Sequence, residues 1–175
     1  MRNSMQMKAK TPKESLAVNT EIVLPNDTNT IGNLMGGRLL HWLDMVGAVS
    51  AHRHCRRIVV TAAVNNVSFN NPIKLGDIVT LEAKVSRAFN TSMEVCIDVW
   101  VENHVTGKRT VCNEAIYTFV AVDQLGNPIH VPEINPESEQ EIERYNAALR
   151  RRQLSLILAG KLKPHDATEL KALFA

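Results

Sequence analysis

One carboxylate, Asp44, interrupts a predicted helical face that is otherwise apolar and built from small residues. Helical spacing places five residues on this face: Leu40, Asp44, Gly47, Ala48 and Ala51. A carboxylate on such a face is costly to bury unless it is paired, hydrogen-bonded or used in chemistry. Asp44 is therefore a candidate general base that polarises a water, or a candidate nucleophile. The structural alternative is a carboxylate bonded to backbone, His41 or Arg38.

The residues before Asp44 can hold a negatively charged oxygen. Gly36 and Gly37 lie at the start of the helix, where N–H groups have no intrahelical acceptor and the dipole favours negative charge. The Asn33 amide can donate to an oxyanion or hold a water, or it is an ordinary cap asparagine. Asn33 and Asp44 are eleven residues apart, about 15 Å along one helix. If both act on one carbon, they come from two subunits of a two-fold symmetric homodimer.

The pattern around these residues predicts one long helix and a sheet. The helix is predicted over 34–54, after a first strand in which apolar residues alternate over 16–24. Four further strands are predicted at 58–69, 79–85, 93–101 and 111–122. Turn residues at 90–91 and 106–108 join the last three strands into an antiparallel meander. The sequence therefore predicts an α+β architecture in which an antiparallel sheet wraps around one central helix.

The ends of the chain have a different character. Residues 1–13 are polar and predict a disordered lead-in, which leaves 14–134 as the main domain. Residues 135–175 form a predicted C-terminal helical extension, in which Asn135-Pro136 caps a second helix that continues to Gly160. Asp166 is predicted to cap a last short helix over 167–174. No function is predicted for the final residues.

Composition excludes several classes of protein. A net charge of +2 argues against general nucleic-acid binding, and no apolar run reaches the 18 residues that a membrane span requires. Three cysteines without CxxC spacing indicate a reducing, cytoplasmic compartment and no metal site. The sequence also lacks HExxH, Gly-x-Ser-x-Gly and Walker motifs.

An ordered set of short motifs resembles one enzyme family. Gly32-Asn33-x-x-Gly36-Gly37 followed by Leu43-Asp44 is similar to the signature of hotdog-fold acyl-CoA thioesterases, especially the cytosolic acyl-CoA hydrolase group. The resemblance continues through 60–64, 90–95 and 117–122. It implies hydrolysis of fatty acyl-CoA to fatty acid and CoA, with Asp44 and Asn33 acting across a dimer interface. It implies no separate cofactor, because CoA is part of the substrate, and assembly as a trimer of dimers, a hexamer.

The resemblance also implies where CoA binds. It places CoA contacts on a strand at Ala62, Ala63 and Val64, and on a turn at Asn90, Thr91, Ser92 and Met93. From the residues alone, that turn is a plain hairpin. Arg87, or the tail arginines Arg150, Arg151 and Arg152, could pair with the 3′-phosphate, although arginine runs also form solvated helix faces.

Two other functions stay open at this stage. One is a non-catalytic sensor module that binds acyl-CoA or a nucleotide and releases no thiol. The other is a hotdog dehydratase acting on 3-hydroxyacyl thioesters, which uses a histidine with an acidic partner. His41 and Asp44, three residues apart on the helix, are the candidate pair for that chemistry.

Overall fold

The computed structural model describes residues 7–65, 67 and 71–174, which fall into two compact units divided between Asn135 and Pro136. The first unit contains, in chain order, β1 (Ala17–Ile22), α1 (Gly36–Cys55), β2 (Ile58–Asn65), β3 (Ile78–Ala88), β4 (Ser92–Glu102) and β5 (Arg109–Val122). The strands form one sheet in the order β1-β3-β4-β5-β2, with every neighbouring pair antiparallel.

Helix α1 packs against all five strands, so the sheet curls around it. This arrangement confirms the predicted α+β hotdog architecture, and β3, β4 and β5 form the predicted meander. Alternate residues on these strands fill the core and are fully buried, for example Leu81, Ile97 and Phe119. Strand β2 lies at one edge of the sheet, where its outer backbone edge has no neighbouring strand among the described residues.

Local pairing explains where the elements differ from the sequence prediction. Helix α1 begins at Gly36 rather than residue 34, because Leu34 is extended and donates its N–H to the Ile73 carbonyl at 2.7 Å. Near the start of the chain, the backbone N–H of Lys10 donates to the Glu133 carbonyl at 2.9 Å. The predicted disordered lead-in is therefore structured from Lys10 onward. The prediction that β2 continues through 66 and 68–70 lies outside the described residues.

The second unit contains α2 (Glu139–Leu158) and the short α3 (Thr168–Lys171). The predicted cap at Asn135-Pro136 is wrong, because Ser138 is the N-cap. Its hydroxyl accepts the Glu141 N–H at 3.2 Å, and the Glu141 carboxylate accepts the Ser138 N–H in return. The prediction for 167–174 is also corrected, since Asp166 lies in a 3-10 turn and Ala167 is the N-cap of α3. Neither α2 nor any other described helix has the length and apolar character needed to cross a bilayer.

Candidate active site

Asp44 lies half-buried on α1, next to the edge strand β2. The Thr61 hydroxyl on β2 donates to Asp44 Oδ1 at 2.6 Å, a short hydrogen bond to a charged acceptor. Arg38 does not pair with Asp44, because its Nε lies 2.9 Å from Asp27 Oδ1. Over the described part of the chain, Asp44 makes no ion pair. The carboxylate is thus oriented by a neutral hydroxyl rather than neutralised by a cation.

A buried phenol lies close to this carboxylate. Tyr117 is 1% exposed, and its hydroxyl donates to the Leu40 carbonyl at 3.2 Å. Burial, followed by the negative charge of Asp44, raises the pKa of Tyr117 to about 12. Tyr117 is therefore a neutral hydrogen-bond donor near neutral pH, and it cannot itself act as a base there.

The loop that leads into α1 is closed around Asn29. Its side-chain oxygen accepts the N–H groups of Ile31 and Asn33, each at 3.1 Å, and its own N–H donates to the Asn33 carbonyl at 2.8 Å. Gly32, with φ of 76°, supplies the left-handed turn that closes this loop. The Asn29 side-chain nitrogen donates to no group among the residues described, so it is available to a ligand.

Helix α1 begins directly after this loop with uncapped N–H groups. Met35 is its N-cap residue and provides no side-chain acceptor, so the N–H groups of Gly36 and Gly37 lack intrahelical acceptors. A Cβ added at Gly37 would meet no atom within 4 Å, which shows that this first turn is open. The helix dipole adds partial positive charge at the same place. This turn can therefore stabilise an oxyanion.

A cavity of about 360 Å³ joins the loop to the start of the helix. Asn29, Asn33 and Gly36 line it together with the apolar side chains of Leu39 and Ile73. Asp44 is not part of this lining, because it lies eight residues beyond Gly36, about 12 Å along the helix axis. One chain therefore carries two separated groups of candidate site residues, which we call the donor half (Asn29, Asn33, Gly36, Gly37) and the carboxylate half (Asp44, Thr61).

The residues predicted to contact CoA lie on four different elements and one turn. Ala62, Ala63 and Val64 are exposed on β2, directly after Thr61, where the β2–β5 register shifts by one residue. The Arg87 guanidinium lies 5.7 Å from the centre of the Phe89 ring. The turn after β3 contains Asn90 and Thr91, whereas Ser92 and Met93 on β4 are buried, and Arg152 lies on α2 in the second unit. Binding of CoA by these residues stays a prediction.

The histidines have separate surroundings. His41 is exposed, and His52 Nδ1 lies 2.9 Å from the Arg57 carbonyl. His54 is fully buried, with Nε2 2.7 Å from the Pro132 carbonyl and Nδ1 without a partner. Burial lowers the pKa of His54. Within the described ranges, no group of three or more histidine, cysteine or acidic side chains is placed to hold a metal ion.

Three of the residues that shape this site were not among those predicted from the sequence: Asn29, Thr61 and Tyr117. Asn29 lies in a polar loop, where asparagine is a common turn residue, so the sequence gave no reason to single it out as a site residue. Thr61 and Tyr117 fall within stretches quoted for the family resemblance. Only the folded structure brings them to Asp44, because they lie on β2 and β5.

Comparisons with known proteins agree with this fold. The thioesterase superfamily model matches residues 31–108. The "uncharacterized acyl-CoA thioester hydrolase YkhA" of Bacillus subtilis is 43% identical over 139 residues, which are 79% of this chain and 81% of that protein. An apo-hexameric acyl-CoA thioesterase superposes with a TM-score of 0.84 at 36% identity, covering 87% of this chain and 98% of that one. The chain therefore belongs to the thioesterase superfamily, has the hotdog fold, and is by class a thioester hydrolase.

The acyl-CoA hydrolase of Staphylococcus aureus is also similar in structure. Its complex with butyryl-CoA, CoA and CoA disulfide superposes with a TM-score of 0.80 at 35% identity, covering 87% of this chain and 95% of that one. Three variants of that enzyme have been solved, each with one alanine substitution, at an asparagine, an aspartate and a threonine. The asparagine precedes the aspartate by 15 positions, and the threonine follows the aspartate by 17.

Proposed function

We propose that this protein hydrolyses fatty acyl-CoA to a free fatty acid and CoA. Water attacks the thioester carbonyl carbon, the carbon–sulfur bond breaks, and the departing sulfur takes a proton to become the CoA thiol. Asp44 accepts the proton of this attacking water. In the alternative route, Asp44 attacks the carbonyl carbon itself, the thiolate leaves, and water then hydrolyses the acyl–aspartyl anhydride to release the fatty acid and restore the carboxylate. The observation that carries the proposal is the half-exposed Asp44 carboxylate, oriented by Thr61 and without a cation beside it.

The donor half stabilises the negative charge that develops on the carbonyl oxygen. The N–H groups of Gly36 and Gly37 lie uncapped at the start of α1, which supports this role. In this chain Asn29 precedes Asp44 by 15 positions and Thr61 follows Asp44 by 17. The asparagine, aspartate and threonine substituted in the S. aureus hydrolase have the same spacing. This spacing favours Asn29 over Asn33 as the side-chain amide that contacts the substrate. Asn33 lines the same cavity and holds the Asn29 side chain in place.

The two halves meet across a homodimer. Beside Asp44, α1 and β2 expose apolar side chains: Met45 (53%), Val49 (42%), Ile58 (53%) and Val60 (47%). The outer edge of β2 also offers backbone groups that a second strand can pair with. A second copy on this face covers the apolar side chains and brings its own donor half to Asp44. The hexameric relative supports a further assembly of three such dimers. The exposed residues Ala62–Val64 then lie at the same interface, where CoA enters with Arg87 and Thr91 as candidate contacts.

Release of free thiol from a panel of acyl-CoA substrates tests this function. We expect Asp44→Ala to lower kcat by about 10²–10⁴-fold, the usual contribution of a general base. Asn29→Ala should lower kcat by about 10²–10³-fold, as for loss of an oxyanion donor. His41→Ala, one turn before Asp44 on the same helix and exposed, is the control that should retain activity.

The same assay separates the alternatives. A sensor module would bind acyl-CoA without thiol release at any chain length. A dehydratase would form an enoyl product from 3-hydroxyacyl-CoA and would lose that activity in His41→Ala. Full activity in Asp44→Ala would remove the proposed function altogether.

A further inference from the structure

A second cavity adjoins the one that the donor half lines. It has a volume of about 340 Å³ and reaches the turn between β4 and β5 at Thr106 and Lys108. Both cavities are lined by the same four residues: Asn71, Pro72, Ile73 and Cys112. Because they share these walls, the two cavities are neighbours, and we call the pair, which extends from Gly36 to Lys108, the groove.

The shared walls are mainly apolar at the junction. Ile73 is 5% exposed, and Pro72 and the Cys112 side chain stand beside it. Burial raises the pKa of the Cys112 thiol, so the thiol presents no charge to the groove at neutral pH. Leu39 continues the apolar lining toward the donor half and Val101 continues it toward the far cavity. Such a passage suits a hydrocarbon chain and disfavours the phosphates of CoA.

A bulge in β5 places Cys112 at this junction. Val99 pairs with Asn113 and Trp100 pairs with Val111, which leaves Cys112 as the extra, unpaired residue. Bulges of this kind change the direction of a side chain relative to the regular strand. The bulge therefore gives the side chain of Cys112 a fixed position between the two cavities.

We propose that the acyl chain of the substrate runs from Gly36 between Ile73 and Cys112 into the second cavity, and that Cys112 sets the chain length that fits. This inference rests on the proposed function. Short chains end within the first cavity before they reach Cys112, whereas long chains pass Cys112. The side chain at position 112 therefore determines specificity without taking part in the chemistry.

Binding of S-alkyl-CoA thioethers tests the inference without hydrolysis. Kd is measured by calorimetry for S-butyl-CoA and S-dodecyl-CoA with wild type, Cys112→Phe, Cys112→Ala and Val111→Phe. Cys112→Phe should raise Kd for the dodecyl ligand at least about tenfold, the effect of one or two misfitting methylenes, and change Kd for the butyl ligand less than about twofold. Val111, 53% exposed and lining neither cavity, is the matched control and should leave both values unchanged.

Cys112→Ala removes bulk at the same point and should shift the preference toward longer chains, which keeps the test decisive if Cys112→Phe does not fold. Equal changes for both ligands, or no change in either variant, would overturn the role of Cys112. If only the proposed function fails, the result is different. The protein would then bind the thioethers with the expected dependence on chain length, but wild type would release no thiol from acyl-CoA.

Discussion

At the scale of single residues, the environment of Asp44 separates this site from a structural ion pair. A carboxylate that serves only the fold is generally bonded to a cation or to several backbone N–H groups. Asp44 instead accepts one bond from the Thr61 hydroxyl and lies near the buried, neutral phenol of Tyr117. These neighbours fix the position of the carboxylate and leave its charge in place, which is what a base or nucleophile requires.

The titration of Tyr117 reports this charge directly. In a Tyr145→Phe background, Tyr117 is the only tyrosine, and its phenolate absorbance should appear with a pKa of about 12 in the folded protein. Asp44→Asn removes a negative charge that disfavours the phenolate, so the pKa of Tyr117 should fall. A Tyr117 titration that is identical with and without the Asp44 charge would contradict this arrangement.

The raised pKa of Tyr117 also predicts that the free energy of unfolding falls at alkaline pH. Because the pKa of Tyr117 is higher in the folded state than its ordinary value of 10.0, unfolding releases a proton between these two values. The contribution of Tyr117 to the free energy of unfolding is therefore complete below pH 10 and is lost as the pH rises toward 12. The urea-unfolded protein, in which the phenol should titrate at its ordinary value, is the control.

At the scale of elements, periodicity predicted the sheet and the central helix because each has one buried face. The alternation in β3 is visible as Val79 and Leu81 against Thr80 and Glu82, and the structure buries the apolar side. The start of α1 was not predictable in this way. It depends on the pairing of Leu34 with Ile73, which lies 39 residues further along the chain.

The candidate site could likewise be predicted only where a local sequence pattern identifies a residue. Asp44 could be identified from the sequence because it is a carboxylate on an otherwise apolar helical face. The Thr61 hydroxyl bond, the Tyr117 phenol and the Cys112 bulge arise from contacts between elements or from strand register, which local patterns do not contain. The choice between Asn29 and Asn33 likewise depends on how the loop closes on itself.

Two glycines of α1 have opposite expected effects when replaced by alanine. A Cβ at Gly47 would lie 3.0 Å from Phe119 Cε2 and 3.3 Å from Ile97 Cδ1, so the helix approaches the sheet only because this side chain is absent. Gly47→Ala should lower the free energy of unfolding by about 1–3 kcal/mol through overpacking, less the gain in helix propensity of at most about 1 kcal/mol.

Gly37→Ala is the matched control in the same helix. Its added Cβ meets nothing within 4 Å, so the propensity term acts alone and should stabilise the protein by at most about 1 kcal/mol. Urea unfolding followed by circular dichroism measures both values. Equal stability of the two variants would show that α1 and the sheet do not pack as closely at Gly47 as described.

At the scale of the whole molecule, the main consequence of the proposed function is that one chain cannot complete its own site. The donor half and the carboxylate half are about 12 Å apart along α1, measured from Gly36 to Asp44. The face beside Asp44 exposes Met45, Val49 and Ile58, and the proposed homodimer would cover these side chains. Oligomerisation would thus serve catalysis itself as well as stability.

Mixed dimers test this consequence. Asn29→Ala and Asp44→Ala are each expected to be nearly inactive as homodimers. In a heterodimer of the two variants, one site combines the intact Asn29 of one subunit with the intact Asp44 of the other, and the second site lacks both. Co-expression with two different affinity tags and sequential purification isolates assemblies that contain both variants, and their thiol release per heterodimer should recover to about half of the wild-type value per dimer.

Sites contained within single chains predict a different result for the same heterodimer. Each of its sites would then lack either Asn29 or Asp44, so activity would stay at the level of the single variants. Two Asp44→Ala subunits that carry the same pair of tags control for purification and should remain inactive. Because subunit exchange would dilute the heterodimer, its composition is checked by native mass spectrometry directly before the assay. Recovery at half of the wild-type activity therefore requires that the two halves of the site come from different subunits.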